Sequence, residues 1–164
     1  LTMREDLLQR VREVMAPLVE RFDLAHGMPV LTLAPGRLLE TARRLKEELG
    51  FDLFLDVTAV DWPGNERRFE VVYHFYSTRL RVRLRAKTRV AEGEPVVDSL
   101  VSLYGSAGYM ERECHDMFGI GFRGNPDLRP VLLYEGFVGH PLRKDYPKDR
   151  EQPLVPTRTR EGPA

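Results

Sequence analysis

The chain has 164 residues, 42% hydrophobic and 30% charged, with 25 basic and 25 acidic side chains. That length supports one domain with its own core, and zero net charge argues against a protein built for bulk phosphate binding. The single cysteine excludes an internal disulfide and a four-cysteine metal site, and no apolar run reaches the roughly 18 residues of a membrane span.

The first residues lack the apolar core of a signal peptide, which points to a reducing, cytosolic setting. Thr2 to Glu5 has capping-box spacing. Leu7, Leu8, Val11, Val14, Met15, Leu18, Val19 and Phe22 follow helical spacing, with Pro17 set to kink or end that helix. Met28 to Leu33 reads as a strand. Pro35 opens a second helix with Leu38, Ala42, Leu45 and Leu49 on one stripe and Gly50 as its stop. Three strands follow as an antiparallel meander: 51–59, 69–75 and 78–90, the first two separated by the turn residues Asp61 to Asn65. A short helix is expected over 97–103 and another over 106–118, then loop. From Pro147 onward, prolines among charges leave a tail too poor in apolar surface to order itself. The predicted class is α+β, at the margin of α/β. It is a mostly antiparallel sheet with helices on one face and an extended, irregular C-terminal tail. The helix–strand–helix–strand start leaves room for one parallel pair. The domain is expected to span 1–147, with a helical region over 1–27 and the tail over 148–164.

Two stretches are dense in chemistry. Glu111 to Gly119 holds Glu111, Arg112, Glu113, Cys114, His115 and Asp116. Helical spacing puts Cys114 on an apolar side with Met110, Met117 and Phe118, where a thiol is a small hydrophobe rather than a nucleophile. It sets Glu111 four residues from His115 and Arg112 four from Asp116, spacing suited to ion pairs. Glu111, His115 and His140 also form a candidate metal set, the alternative being a standalone metal-dependent enzyme. Gly119 to Gly124 has GxGxxG spacing but follows a helix, so a dinucleotide loop is rejected. The second stretch, Gly136 to Pro147, mixes aromatics, Arg and Pro, the residue types of an interface anchor.

The strand from Arg79 to Arg89 has cations at every second residue: Arg79, Arg81, Arg83, Arg85, Lys87 and Arg89. Period two places them on one face. The first reading is a solvated face balanced by Asp52, Asp56 and Glu70 across the sheet. The alternatives are an acidic protein partner and, with little aromatic interleaving to support it, a nucleic-acid-binding module.

At the two dense stretches the sequence resembles the C subunit, or 30-kilodalton subunit, of respiratory complex I, the proton-translocating NADH:quinone oxidoreductase. The resemblance is carried by Glu111, Arg112, Glu113, Asp116, Met117, Phe118 and Gly119. It continues through Asp127 to Leu132 and then Gly139, His140, Pro141, Leu142, Arg143, Lys144, Asp145, Tyr146 and Pro147. It covers roughly Leu33 to Pro147, including Asp56 to Asp61. Asn125 stands where the family commonly has His or Lys, which counts slightly against a role for that side chain.

The resemblance implies an accessory subunit in the hydrophilic peripheral arm, with no cofactor of its own. FMN and the iron–sulfur clusters belong to other subunits. It implies docking on the D (49-kilodalton) subunit near the quinone site, no nucleic acid, and contact with the cytoplasmic face of a bacterial inner membrane only through partners. Catalytic, cofactor and metal residues are expected to be none in this chain. Glu111, Arg112, Glu113, Asp116 and Gly119 are expected to form an ion-pair lock. Arg129, His140, Pro141, Arg143, Lys144, Asp145 and Tyr146 are expected to make or order the docking contact. Arg112→Ala should then impair assembly rather than a chemical step. Related subunits serve membrane-bound hydrogenases and ferredoxin- or deazaflavin-linked complexes, some fused to the large subunit; a chain stopping soon after the motif is not expected to be such a fusion.

Overall fold

The structure, a computed structural model, describes residues 3–34, 36–149 and 152. Helix α1 spans Met3–Met15, and the chain then turns through Ala16 to Leu18 into strand β1, Val19–Ala25. The helical spacing that runs on to Phe22 in the sequence is therefore misleading, and the helix stops earlier than it suggests. Pro17 has no N–H to donate, and the hydrogen bond from Leu18 N–H to the Met15 carbonyl (2.9 Å) closes the turn. β1 pairs antiparallel with β2, Met28–Leu33. His26 and Gly27 between them have φ of 51° and 76°, as a two-residue hairpin turn with right-handed strand twist requires. The capping box at Thr2, the role of Pro35 and nearly all of the tail fall outside the described residues.

Helix α2, Leu38–Glu47, buries the expected stripe of Leu38, Ala42 and Leu45, with Leu49 just beyond it. Gly50, at φ 73°, turns the chain toward the sheet. The meander follows as expected: β3 (Leu53–Asp61), β4 (Phe69–Ser77) and β5 (Val82–Val90), each antiparallel to the next. The five strands are ordered β1-β2-β5-β4-β3, and β2 with β5 is the one parallel pair of this sheet. Alternation sends Phe69, Val71, Tyr73 and Phe75 of β4 inward to a single core with Val11 and Met15 of α1, Leu45 of α2 and the third helix. The other face of the sheet carries the polar residues of the same strands.

The helix expected over 97–103 is not there. Val96–Asp98 forms strand β6, which pairs in parallel with β7, Gly121–Arg123, in the region expected to be loop. Two β-branched residues favour extension, and only the turn at Leu100 to Tyr104 is helical in its hydrogen bonding. Helix α3, Ala107–Phe118, lies between these strands in sequence and packs on β3. Gly119 ends it in the left-handed conformation (φ 71°, ψ 26°), its N–H bonded to the His115 carbonyl at 2.7 Å. No helix among the described residues is long and apolar enough to cross a membrane.

Candidate functional site

Residues 107, 111, 114 and 118 of α3 share its buried face, so Glu111 sits on the same inward stripe as Cys114. It is fully buried. Its carboxylate accepts hydrogen bonds from Ser99 Oγ (2.6 Å), Leu100 N–H (2.7 Å) and Asn125 Nδ2 (2.8 Å). A buried carboxylate is tolerated when its oxygens are filled in this way. Glu111 thus ties α3 to the end of β6 and to the chain just after β7. Asn125, discounted from sequence, is one of its three partners and also accepts the Asp127 N–H at 2.9 Å.

Arg112 and Asp116 bind main chain, not each other, which corrects the expected ion-pair lock. One oxygen of Asp116 accepts three successive backbone N–H groups, from Val131 (2.7 Å), Leu132 (3.0 Å) and Leu133 (3.3 Å). Arg112 donates to the carbonyls of Arg129 (2.8 Å) and Pro130 (2.9 Å) and lies 3.7 Å from Asp127. Asp127 in turn takes a two-pronged contact from the exposed Arg129. Glu113 is exposed, with no ion pair among the described residues. Together these residues fold 125–133 back along α3.

The segment 139–146 is anchored at the helix C-terminus. His140 Nδ1 donates to the Asp116 carbonyl (2.9 Å), Arg143 Nε to the Phe118 carbonyl (2.6 Å) and Leu142 N–H to the Met117 carbonyl (3.1 Å). His115 Nδ1 is engaged with the Ile120 carbonyl at 2.9 Å, and its ring meets His140 edge-on at 6.2 Å. Gly119 is the floor of this contact. A Cβ there would lie 2.5 Å from His140 Nε2 and 2.6 Å from Arg143 Nη2, at a φ that disfavours any L side chain. Gly119→Ala is expected to cost about 1–3 kcal/mol and to lift 139–146 off the helix, read as faster limited cleavage by trypsin at Arg143 and Lys144. Unchanged cleavage would count against this anchoring.

A second anchor is invisible in the local sequence. Asp61, at the end of β3, and Arg68, entering β4, form a bidentate pair at 2.7 Å and 2.7 Å, with side chains 0% and 7% exposed. Arg68 also reaches Glu92 (2.6 Å) and Asp145 (2.9 Å), while Lys144 N–H donates to Asp61 at 2.8 Å. Arg68 and Arg143 each lie about 5 Å from the Phe69 ring. So Asp145 and Lys144 act by tying the loop to the β3–β4 hairpin, 77 and 83 residues away in sequence. Asp61 ends one strand and Arg68 precedes its register partner Phe69; pairing that hairpin residue by residue is the signal that could have found them. Tyr146 stacks on Phe137 and accepts from Gln152 at 2.9 Å. Pro141 is half-buried between His140 and Leu142.

These contacts set the pH response. The Arg68 hydrogen bonds hold the Asp61 carboxyl below the ordinary range, outweighing its burial, with Lys144 N–H assisting. For Asp116, burial pushes upward but the three loop amides more than offset it. Arg68 also depresses Asp145. All three folded values lie below the unfolded ones. Their stabilisation is therefore complete above the ordinary carboxylate value, about pH 4, and is lost as pH falls through the folded values. Melting temperature is expected to hold from pH 7 to about 5 and to fall steeply below about 4. A melting temperature that stayed flat to about pH 3 would contradict this.

Neither the Cys114 thiol nor the Glu111, His115 and His140 set has the geometry its proposed chemistry needs among the described residues. Burial raises the Cys114 thiol far above its usual range. Glu111 turns away from His115 toward Ser99, and no group of three His, Cys, Asp or Glu among the described residues is placed to hold a metal ion. Of the six-cation stripe, Arg83, Arg85, Lys87 and Arg89 lie on β5, while Arg79 and Arg81 fall in the preceding turn. Lys87 and Arg89 share Glu70 at 3.1 Å each, and Asp52 caps Thr78 instead of pairing with a cation.

What the motif builds is a shaped, irregular segment, 125–146, fastened to α3 at one side and to the β3–β4 hairpin at the other. The chain as a whole is similar to known proteins. The C subunit of the NADH-quinone oxidoreductase of Agrobacterium fabrum is 43% identical over 144 residues, covering 87% of this chain and 72% of that protein. Its namesake in Geotalea uraniireducens is 40% identical over 145 residues, covering 87% and 88%. Among solved structures, the trypsin-resistant fragment (1-134) of Nqo5 superposes with a TM-score of 0.59 at 29% identity, covering 77% of this chain and 100% of the fragment. A chain of the membrane-bound sulfane sulfur reductase, an archaeal respiratory membrane complex, superposes with a TM-score of 0.77 at 27% identity, covering 88% and 85%. Residues 31–152 match the family described as respiratory-chain NADH dehydrogenase, 30 Kd subunit, so the chain belongs to that family.

Proposed function

We propose that this chain is a cofactor-free structural subunit of the peripheral arm of a proton-translocating NADH:quinone oxidoreductase. In this reading it docks on the D (49-kilodalton) subunit, near the quinone site, and meets the cytoplasmic face of the inner membrane through its partners. Flavin and iron–sulfur chemistry then happens on other chains. The observation that carries the reading is where the motif's polar groups go. Asp116, Arg112, His140 and Arg143 all bind backbone, and the segment they fix leaves Leu132 61%, Val138 56% and Leu142 52% exposed. Ordering an irregular segment in advance removes that entropy cost from association, and exposed apolar side chains on a rigid frame suit a protein partner.

A membrane-bound sulfur- or hydrogen-metabolising complex is the second reading, favoured by the likeness to the sulfane sulfur reductase chain. The NADH-quinone oxidoreductase relatives, at 43% and 40% identity, favour the first. The test replaces Leu132 and Leu142 by Asp together. Both are exposed, so the melting temperature should stay within a few degrees of the parent, while the chain is lost from the purified membrane complex. Full retention would remove this surface from the account.

A further inference from the structure

The helices cover one face of the five-stranded sheet, and no described helix covers the other. We propose that this open face is a second docking surface, separate from the 125–146 segment, and that it takes an acidic stretch of a partner polypeptide.

The face is built by alternation. Arg83, Arg85, Lys87 and Arg89 of β5 point outward between the inward Leu84, Ala86 and Thr88. Their charges are unevenly met. Glu70 serves both Lys87 and Arg89. The Nε–H of Arg85 donates to His74 Nε2 at 2.9 Å, an acceptor only in the neutral ring. Arg83 has no ion pair among the described residues. So the end of the stripe nearest the β4–β5 turn holds two guanidinium groups without a carboxylate on either, in a chain whose total charge is zero.

The cations also have a floor. Val30 and Val72 are each 6% exposed yet stand outside the main core. The register sets Lys87 beside Val72, and its Nζ reaches Glu70 on that same strand, so the Lys87 stem can roof Val72. Leu53 and Val60, at 41% and 36% exposure, lie on the outward register positions of β3, and Arg89 sits 5.8 Å over the exposed Trp62 ring. A surface with forked donors, an aromatic and exposed apolar side chains fits a polypeptide.

The test uses the full chain. Poly-L-glutamate should bind it at low salt, and R83E with R85E should weaken that binding about tenfold, while R43E on the exposed side of α2 leaves it unchanged. R83K with R85K, which keeps the charge, should retain most of it. Should the reversal variant melt early, R83Q with R85Q gives the same reading. Binding that ignores the substitutions overturns the proposal. So does a single-stranded oligonucleotide that binds more tightly than poly-L-glutamate and is lost with the same variant, since the face would then belong to nucleic acid. The titration reads the isolated chain, so it stands or falls independently of whether the chain is recovered in the complex proposed above.

Discussion

Arg68→Met is expected to destabilise the fold by about 3–5 kcal/mol, which for a domain of this size lowers the melting temperature by about 10 °C. The reason is what the change leaves behind. Asp61 has a fully buried side chain and keeps only the Lys144 N–H once the bidentate partner is gone. A buried carboxylate deprived of its counter-charge costs more than the pair itself contributed. The loop should respond as well, because Asp145 loses the same partner. Arg68→Lys should recover only part of the loss, since an ammonium cannot reproduce the two parallel contacts. The check is thermal unfolding of the parent and both variants, with trypsin cleavage at Lys144 as the local readout. Arg68→Met with a parental melting curve would show that this network is decorative.

Glu111→Ala should have a comparable effect, about 3 kcal/mol, from stranding three donors in a dry site. Ser99 Oγ can rotate, and it already accepts the Val101 N–H at 3.1 Å. The Leu100 N–H has no such freedom. Glu111→Gln should cost less, because one oxygen still accepts while the amide nitrogen faces donors. Hydrogen exchange at Leu100, together with urea unfolding, separates the two. Protection at Leu100 that survives Glu111→Ala would contradict the arrangement of α3 over β6.

Much of this fold is legible in the sequence because the signals are local. The alternation of Phe69, Val71, Tyr73 and Phe75, the stripe from Leu38 to Leu49 and the glycine stops at Gly50 and Gly119 each follow from one element's own periodicity. β1 is not legible. It is an edge strand with an irregular burial pattern, and its apolar residues also fall at helical spacing. The His26–Gly27 turn is its strongest mark. β6 and β7 are three residues each and gain their pairing from each other, 25 positions apart at Val96 and Gly121.

The site is half legible for the same reason. The sequence points to the residues that matter around α3 but suggests the wrong partners. Four-residue spacing suggests side chain to side chain, and nothing local says that Asp116 will gather the amides of 131–133. Glu111 reads as an ion-pair partner of His115, although its spacing from Ala107, Cys114 and Phe118 places it on the buried stripe, away from that partner. Asp61, Arg68 and Asp145 meet only when the hairpin and the loop are both in place. Arg112→Ala remains a change that should loosen assembly, now through the carbonyls of Arg129 and Pro130 instead of a buried ion pair.

These anchors share one outcome: charges in α3 and the β3–β4 hairpin hold an irregular segment in place, with Leu132, Val138 and Leu142 outward. In the function proposed above, this arrangement serves a partner inside an NADH:quinone oxidoreductase. The direct measurement is affinity purification of the tagged full chain from solubilised membranes, with protein identification and NADH:quinone activity on the same fraction. The expected result is recovery of the D subunit in equal amount, with NADH-driven quinone reduction in that fraction. Recovery of the chain alone, or with the large subunit of a hydrogenase or sulfur reductase and no NADH-driven activity, would contradict it.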